Sequence, residues 1–481
     1  MSSEQSNILD YFNNLNNAQI STDIGLRIKL LLKLKESLKA NEDLIFDAMF
    51  KDLHRNANGT SLAELVPIYG EIHYFVKNLK KLTAVRKRCT DLMFTPSQSR
   101  IVPRPRGKVY VISPFNYPVI LAISPLIGSI AAGNATLLRM SSQTPNVNAA
   151  IAKVVSVLPK ELVSTVECSH SDSDTLTKAG FDLIFYTGSP TVGKHIMKLA
   201  SEVLTPVVLE LGGKSPLYIS EDCDLDSFVH KMLWGKSFNA GQTCVAPDYV
   251  LIHRSQLEDF KLKIQEAAND FWPKGCSASD DFCRIITPSA TKRVNELLQD
   301  GKDNYSVYVH RDEETDIEGR FIPFSCIYFN DLEEAMKSKI MQEEIFGPVW
   351  PIIAVDNVDE AIDYINAHPK PLALYVFSPN KGTVERFIYE TDSGAIVSND
   401  SLVHVANHNL PFGGVGNSGM GQYHGEFSFD TFSQMKPVMF RSGEKIRAVR
   451  PVDYVVSKID SVVRFPPTSE DSKKALSHFA K

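Results

Sequence analysis

The sequence predicts a doubly wound α/β fold divided into two lobes, and three observations lead to that prediction. A chain of 481 residues is too long for a single hydrophobic core. From residue 108 onward, short apolar runs such as KVYVISP and DLIFYTG alternate with helical stretches, which is typical of a parallel sheet covered on both faces. A second alternating section runs from about Tyr218 to Asn399 and contains the strand-like runs YVLIH and WPIIAV.

The first hundred residues predict a helical layer without chemistry of its own. Residues 24–50 have the pattern of an amphipathic helix with a basic outer face. A second helix is predicted because apolar residues recur three or four positions apart, at Leu62, Leu65, Ile68, Ile72, Phe75, Leu79 and Leu82. Such stripes normally face neighbouring elements, so we expect packing rather than catalysis from this part of the chain.

The elements of the first alternating section follow in order. After KVYVISP, the stretch Val119–Gly133 predicts a buried helix, because it is short for a membrane span and contains Pro125. Further strands are predicted at ATLLRM, STVEC, DLIFYTG and TPVVLELGG, with helices at NVNAAIAKVVSVL and VGKHIMKLASEV. Near the end of the chain, the glycine-rich loop PFGGVGNSGMG is followed by QYHGEFSFDTF, which we predict to be irregular.

Composition and charge exclude several classes of function. A net charge of −6 and a pI near 6.1 argue against nucleic acid as the main partner, because phosphate binding requires a basic face. Seven cysteines without a CxxC pair predict neither a disulfide framework nor a metal site, and they favour a reducing compartment. The N-terminus lacks a signal-peptide pattern and the chain ends in the polar SEDSKKALSHFAK, so we expect a soluble, cytoplasmic protein without a membrane span.

Three short motifs contain candidate catalytic residues, and each has a structural alternative. Cys244 lies in the polar segment GQTCVAP, where it is either a small core residue or a nucleophile that needs activation. Glu210 ends the apolar strand of LELGGKSP, either as a hydrogen-bond acceptor or as a base with a raised pKa. Asn116, between the prolines of PFNYP, either forms a turn or donates its amide N–H to an oxyanion.

Two glycine motifs resemble nucleotide-binding patterns incompletely. GSPTVGK (Gly188–Lys194) fits a P-loop, but the next residue is His195 rather than the Ser or Thr that holds magnesium, which argues against phosphate hydrolysis. The turn can still present backbone N–H groups to a dinucleotide, or it is a plain tight turn. GVGNSG (Gly414–Gly419) matches GxGxxG, but no βαβ unit follows it.

Taken together, the motifs resemble the aldehyde dehydrogenase superfamily in order and spacing. The series is PFNYP, GNATLLR, FYTGSPTVGK, LELGGKSP, GQTCVAP, EEIFGPV and PFGGVGNSGMG, over about residues 100–436. The brief N-terminal arm, CVAPDY, GMGQYHGEFSFDTFS and a later RFPP look like the short class 3 branch, which includes fatty-aldehyde dehydrogenases. The resemblance implies an oxidoreductase that converts an aldehyde to the carboxylic acid with NAD or NADP, on medium- to long-chain aliphatic or aromatic substrates.

The resemblance also implies a role for each matching residue. Cys244 attacks the aldehyde and becomes the thiohemiacetal and then the thioester, the Asn116 amide and the Cys244 backbone N–H hold the oxyanion, and Glu210 activates the hydrolytic water. The implied cofactor-binding positions are Gly188, Ser189, Pro190, Thr191, Val192, Gly193, Arg139, Ser142, Glu344 and Phe346. The implied substrate channel is lined by Tyr117, Trp234, Thr243 and Phe412.

For the architecture, the resemblance implies a Rossmann-like cofactor domain, an α/β catalytic domain and a small β oligomerisation arm. We expect residues 1–210 to form the NAD(P)-binding domain, with a bridging part near 85–105, and residues 211–410 to form the catalytic domain. Residues 411–481 then hold the active-site loop return, the arm and the C-terminal tail. The arm, from parts near 85–105 and 430–450, is expected to pair two subunits in a homodimer.

The sequence departs from the family pattern at three places. The usual Lys-Pro-Ser-Glu is Arg139-Met140-Ser141-Ser142, the usual Trp before Asn116 is Phe115, and the final FSH ends in Gln434. Two rival interpretations are a non-catalytic relative that acts as a binding or structural protein, and a thiol esterase or other cysteine hydrolase. A hydrolase needs a His base near the thiol, and no His lies between His230 and His253, although a distant residue could supply one.

The departure at 139–142 predicts the cofactor preference. Ser142 stands where the family's Glu would repel the extra phosphate of NADP, and Arg139 offers a guanidinium suited to phosphate. We expect NADP to be used at least as well as NAD, and Ser142→Glu to weaken NADP use selectively by about 1–3 kcal/mol. Steady-state kinetics with both cofactors measure this. A wild-type preference for NAD of about a hundredfold in kcat/KM, roughly 2.7 kcal/mol, would contradict it.

Overall fold

The computed structural model describes residues 3–441 except 92, 93, 95 and 96. Its α-helices in that part of the chain are α1 (Ser3–Asn13), α2 (Ile24–Ala40), α3 (Glu42–Leu53), α4 (Ala57–Thr60), α5 (Val66–Leu82), α6 (Ile120–Ala132), α7 (Pro145–Val155), α8 (His170–Thr177), α9 (Pro190–Ser201), α10 (Leu225–Ser237), α11 (Leu257–Phe271), α12 (Pro288–Asn304), α13 (Leu332–Lys337), α14 (Val358–Asn366), α15 (Lys381–Glu390) and α16 (Gly425–Thr431). A π-helical turn, Ser61–Leu65, precedes α5.

The strands of the described residues are, in chain order, β1 (Arg86–Arg88), β2 (Gln98–Pro105), β3 (Lys108–Ile112), β4 (Ala135–Arg139), β5 (Val163–Val166), β6 (Leu183–Gly188), β7 (Val207–Leu211), β8 (Ser215–Ile219), β9 (Pro247–His253), β10 (Ser306–Val309), β11 (Ser325–Phe329), β12 (Val349–Val355), β13 (Ala373–Phe377), β14 (Ala395–Ser398), β15 (Gly419–Met420) and β16 (Ser433–Phe440). Each strand predicted between residues 108 and 211 is present.

The first large sheet contains, among the described residues, six strands in the order β15, β7, β6, β3, β4, β5. Strands β3 to β7 are parallel, and β15 pairs antiparallel with β7. Successive side chains point to opposite faces, so Tyr110 packs with Ile196 of α9 on one side, while Phe185 packs against Phe432 on the other. The predicted doubly wound fold is confirmed for this section.

The second large sheet has, within the same described part of the chain, the order β10, β11, β12, β9, β8, β13, β14. Its strands are parallel except for the antiparallel pair β10 and β11. The central strands β8, β12 and β13 are buried along their whole length, which explains why they are almost uniformly apolar rather than alternating. The second α/β section is therefore confirmed as well.

Within the described part of the chain, residues 83–103 and residues 435–441 form a separate compact unit. It contains the third sheet, whose described strands have the order β1, β2, β16, and β1 pairs antiparallel with β2. These strands lie where the β-arm is predicted. Positions 442–450 of that arm, the RFPP motif and the polar C-terminal tail lie outside the described residues.

Two element predictions are wrong. Residues 24–50 form two helices rather than one, because Asn41 has a non-helical backbone and its amide donates to the carbonyl of Ser37, which ends α2. The segment QYHGEFSFDTF is not irregular but contains α16. A seven-residue helix that begins at Gly425 with φ 51° is too short to show a helical period in the sequence.

Val119–Gly133 does form the predicted buried helix, α6. Across the described residues, no helix has the length and apolar character needed to cross a membrane.

Glu71 joins three helices in the layer behind the first sheet. Its buried carboxyl on α5 accepts hydrogen bonds from Ser124 of α6 and from Ser428 of α16. Burial raises the pKa of Glu71 to about 7, although the two serine hydroxyls act in the opposite direction. The group is therefore mainly protonated in the folded protein below neutral pH.

Glu71 predicts a pH dependence of stability. Because its folded pKa of about 7 lies above the usual 4.5, its contribution is fully present below about pH 4.5 and is lost as the pH rises to 7. The loss is about 3 kcal/mol of unfolding free energy. We expect Glu71→Gln, which resembles the protonated group, to remove this loss, so that the variant is more stable than the wild type at pH 8. Urea unfolding at pH 5 and pH 8 measures it, with the exposed Asp47→Asn as control. Identical pH dependence in wild type and Glu71→Gln would count against it.

Candidate active site

Cys244 follows a tight turn between α10 and β9. In the turn Phe238–Gly241, Asn239 has φ 54° and Gly241 has φ 73°, both in the left-handed region. A Cβ at position 241 would stand 2.3 Å from the carbonyl oxygen of Gly347. Glycine is therefore required at 241 both for the backbone conformation and for the close approach.

The Cys244 thiol is partly buried in a site with two carboxyl groups. Burial, together with Glu344 and Glu210, raises the pKa of Cys244 to about 12, while backbone N–H groups at Cys244 and Val245 act in the opposite direction. The thiol is protonated in the free protein at neutral pH. A reaction at this sulfur therefore requires a base or a cation nearby.

Glu210 faces the same site from β7. Its neighbours Leu209 and Leu211 belong to the hydrophobic core, so strand alternation sends the Glu210 side chain to the opposite face. The residue is only 3% exposed, and neither carboxyl oxygen has a hydrogen-bond partner among the described residues. Burial raises its pKa well above the usual value.

Asn116 lies against the segment that leads to Cys244. Its side-chain Nδ2 donates to the carbonyl of Gln242 at 3.1 Å, and its own carbonyl accepts from Asn239 Nδ2 at 3.0 Å. One N–H of an amide group is sufficient for the bond to Gln242, so the second is available for another acceptor. The structure therefore brings the PFNYP and GQTCVAP motifs together.

A cavity of about 260 Å³ connects two of the three catalytic candidates with the predicted substrate channel. Cys244 and Glu210 line it together with all four predicted channel residues, namely Tyr117, Trp234, Thr243 and Phe412. The hydroxyl of Tyr117 bonds Thr243 at 2.6 Å. The remaining wall is largely apolar and includes residues that sequence reasoning missed, among them Leu62, Pro67, Ile120, Leu402, Val405 and Tyr423. Leu62 was assigned to a buried stripe but is 57% exposed beside this cavity.

Histidines surround Phe412 at one wall of this cavity. The rings of His404 and His424 lie nearly parallel to Phe412, with centroids 6.1 and 5.4 Å away. Burial lowers the pKa of His404 to about 4 and that of His424 to about 3, the latter also because His408 and His404 are close. With these lowered pKa values, the imidazole rings of His404 and His424 are uncharged at neutral pH. No periodic pattern predicts this wall, because its residues lie in a short 3-10 helix and in the segments around it.

A second cavity of about 490 Å³ contains the predicted cofactor residues Pro190, Thr191, Glu344 and Phe346. Beside it, α9 begins after Ser189, whose hydroxyl accepts from the N–H of Val192 at 3.4 Å. The arrangement is a strand, a turn and a twelve-residue helix, which directs free N–H groups and a positive dipole end outward. These residues fit a dinucleotide phosphate.

The glycines around this turn leave room either for a neighbouring polar side chain or for close packing of α9 on the sheet. A Cβ at Gly188 would come within 2.2 Å of the Tyr186 hydroxyl, and one at Gly212 within 2.4 Å of the Glu344 carboxylate. Gly193 is buried, and a Cβ there would meet Leu211 at 2.7 Å. Gly193 therefore permits close packing of α9 on the sheet, as glycine does in dinucleotide-binding folds.

Arg139 and Ser142 do not line the second cavity. Arg139 ends β4 with its Nε buried and without a hydrogen-bond partner among the described residues, and its guanidinium contacts the Cys168 thiol. Arg139 is therefore half-buried at the end of β4. Ser142 is exposed.

A clamp of charged residues holds the segment with Glu344 and Phe346, and sequence reasoning missed it. Lys214 Nζ bonds Asp248 at 2.6 Å and also the carbonyls of Ile340 and Glu343, each at 2.9 Å. In the sequence, the only indication of this clamp is Lys214 itself, the lysine of LELGGKSP, to which we assigned no role.

Arg293 holds the same segment from another side. Arg293 Nη2 donates to the carbonyl of Ile345 at 2.5 Å, and the N–H of Ile345 bonds Asp248 at 3.1 Å. Phe346 follows with φ 50°. Burial and the charge of Asp248 raise the pKa of Glu344 to about 8.

Comparisons with known proteins agree with this geometry. A profile described as "Aldehyde dehydrogenase family" matches residues 16–438. "Aldehyde dehydrogenase family 3 member A2" of Rattus norvegicus is 39% identical over 462 residues, which covers 95% of this chain and 90% of that protein. "Aldehyde dehydrogenase, dimeric NADP-preferring" of Canis lupus familiaris is 39% identical over 419 residues, covering 87% and 90%.

A solved structure is similar over nearly the whole chain. It is the substrate-bound state of AldH from Staphylococcus aureus, with a TM-score of 0.89 and 36% sequence identity. The match covers 96% of this chain and 100% of that one. The similarity therefore includes both large sheets.

Proposed function

The chain belongs to the aldehyde dehydrogenase family, and on that premise we propose that Cys244 is its nucleophile, Glu210 its base and Asn116 its oxyanion donor. Membership makes the chain an NAD(P)-dependent enzyme that oxidises aldehydes to carboxylic acids. The observation that carries the residue roles is that Cys244 and Glu210 line one cavity. A binding protein or a thiol esterase is not favoured, because the family match and the curated relatives are aldehyde dehydrogenases.

The first half of the reaction forms a carbon–sulfur bond. The Cys244 thiol loses its proton to a base, and Glu210 is a base that shares the cavity. The sulfur electron pair then attacks the carbonyl carbon, and the carbonyl electrons move to oxygen. The free N–H of Asn116 and the backbone N–H of Cys244 stabilise that oxyanion.

The second half releases the acid. As the oxyanion collapses, a hydride leaves the carbon and a thioester to Cys244 remains. NAD(P)⁺, when bound, is the acceptor of that hydride. Glu210 first releases the thiol proton to solvent and then takes a proton from water as the water oxygen attacks the thioester carbon. The carbon–sulfur bond breaks to restore the thiolate, which regains a proton from Glu210. Burial without partners keeps the pKa of Glu210 high enough for this proton transfer.

We propose that the turn Gly188–Gly193 binds the cofactor phosphates and that Glu344 and Phe346 bind the nicotinamide riboside. The start of α9 and the 490 Å³ cavity support this assignment. We further propose that Arg139 and Ser142 allow NADP to be used at least as well as NAD. The similarity to a relative named as NADP-preferring supports that preference.

The proposed domains are residues 1–210 for the cofactor, 211–410 for catalysis and 411–481 for the loop return, arm and tail. The change from the first large sheet to the second between β7 and β8 supports the boundary near 210. We also propose a cytoplasmic homodimer. Seven free thiols support a reducing compartment, and the relative named as dimeric supports the pairing.

Variants of the three catalytic residues test the mechanism. We expect Cys244→Ala to abolish oxidation while retaining cofactor binding. Asn116→Ala should lose about 100- to 1000-fold in turnover, because an oxyanion donor is removed. Glu210→Gln should slow thioester hydrolysis more than hydride transfer, so that a burst of reduced cofactor precedes slow turnover. Stopped-flow absorbance of the reduced nicotinamide measures all three. Turnover near the wild-type rate in Cys244→Ala would refute covalent catalysis by this residue.

The apolar cavity suggests medium- to long-chain aliphatic or aromatic aldehydes as substrates. Each methylene that leaves water contributes up to about 0.8 kcal/mol, so KM should fall along an aliphatic series. Leu62 and Val403, both exposed beside the cavity, extend the apolar surface toward solvent. Steady-state kinetics from propanal to decanal check this expectation. Equal KM values along the series would show that the alkyl chain of the aldehyde does not bind in this cavity.

A further inference from the structure

A buried ion pair connects the N-terminal helices to the candidate active site. Arg55 follows the end of α3, and Glu64 lies in the π-helical turn Ser61–Leu65. Arg55 Nη1 bonds Glu64 Oε1 at 2.7 Å, and the two side chains are 2% and 0% exposed. Neither residue belongs to a motif of the family resemblance, and the sequence predicted packing alone for this region.

Both members of the pair contact the loop that carries Asn116. Arg55 Nη2 donates to the backbone carbonyl of Asn116 at 2.7 Å. Glu64 Oε2 accepts from the backbone N–H groups of Val119 and Ile120, each at 2.8 Å, where α6 begins. The ion pair therefore fixes both ends of the short segment 116–120.

Arg55 also contacts the residue after Asn116. Its guanidinium carbon lies 4.6 Å from the centre of the Tyr117 ring, in a cation–π arrangement. The Tyr117 hydroxyl in turn bonds Thr243, next to Cys244. Two contacts from one guanidinium thus fix the backbone and a side chain of the same loop.

We propose that Arg55 and Glu64 are positioning residues that hold the Asn116 amide as an oxyanion donor. The proposal rests on the function proposed for Asn116. The geometry of the Arg55 side chain supports the proposal. Its planar guanidinium can bond a carboxylate and a carbonyl at the same time, whereas a single ammonium group does so less well. An oxyanion donor must stand within about 0.5 Å of its productive place, so a loosened carbonyl at Asn116 reduces the rate without removing the donor.

A double-mutant cycle tests this proposal. Arg55→Lys keeps the charge beside Glu64 but loses the fork, so we expect kcat to fall about tenfold with little change in the KM for NAD(P). In an Asn116→Ala background the same change should have no further effect, because the group that Arg55 positions is gone. The single-turnover rate of hydride transfer is measured in all four proteins, together with the midpoint of urea unfolding.

A matched control separates positioning from general stability. Asp52 is buried in the same N-terminal layer and bonds the N–H of Val147 at 2.9 Å, but it does not contact the Asn116 loop. We expect Asp52→Asn to lower the unfolding midpoint while leaving the rate of hydride transfer unchanged. Should Arg55→Lys fail to fold, Glu64→Asp takes its place in the cycle, since it retracts the carboxylate by one methylene and keeps its charge.

The possible results separate this proposal from the proposed function. A loss confined to the background with Asn116 supports positioning. A tenfold loss that is equal in both backgrounds, or no loss in either, overturns it while Asn116→Ala still shows an impaired oxyanion donor. Hydride transfer at the wild-type rate in Asn116→Ala overturns the role of Asn116 and the positioning role together.

Discussion

The left-handed turn at Asn239, Ala240 and Gly241 is the constraint on which the site depends. It directs the chain from α10 back toward β9 with three consecutive positive φ angles, and it touches the carbonyl of Gly347. Gln242 then fixes the exit of the turn. Its amide donates to the carbonyls of Asn239 and Arg284 and accepts from the N–H of Ile286, at 2.9 to 3.1 Å. The residues before Cys244 therefore have little freedom, and this lets one thiol face a small cavity.

Burial of ionisable groups gives this cavity its chemistry. Glu210 and Cys244 are removed from water, and Glu210 has no compensating bond among the described residues, so burial raises the pKa of each side chain. Lys236, buried beneath the same turn, has its pKa lowered to about 8 by burial. Burial therefore shifts the pKa of each of these three groups toward its uncharged form. Charge develops when a substrate arrives, where fixed N–H donors stabilise it more than water would.

Much of the fold follows from local patterns in the sequence. Apolar runs ended by proline or glycine correspond to β3, β6 and β7, because a buried parallel strand needs side chains that are apolar on both faces. Glu210 was a candidate because a carboxylate interrupts such a run. The break at Asn41 and the short helix α16 were missed, since each depends on one or two residues rather than on a period.

The candidate site was predictable as a set of motifs but not as a set of contacts. Sequence order does not show that Glu210 and Cys244 line one cavity, or that Lys214 holds the segment of Glu344. The histidine wall and the Arg55–Glu64 pair are long-range contacts between loops and helices, and they leave no periodic signal. Polar residues in an apolar layer were the available clue, because a charge is rarely buried without a partner.

The burial of Arg55 and Glu64 raises the question of why the N-terminal helical layer contains charged residues. A buried ion pair is often no more stabilising than two apolar side chains of similar volume, since both ions lose their hydration. An apolar pair, however, cannot bond a carbonyl and two N–H groups in fixed directions. The contacts of Arg55 with Asn116 and of Glu64 with Val119 are directional, and they cross from the first 65 residues to the loop after β3. Stability alone does not explain this choice of residues, whereas the need to hold one loop at one distance from Cys244 does.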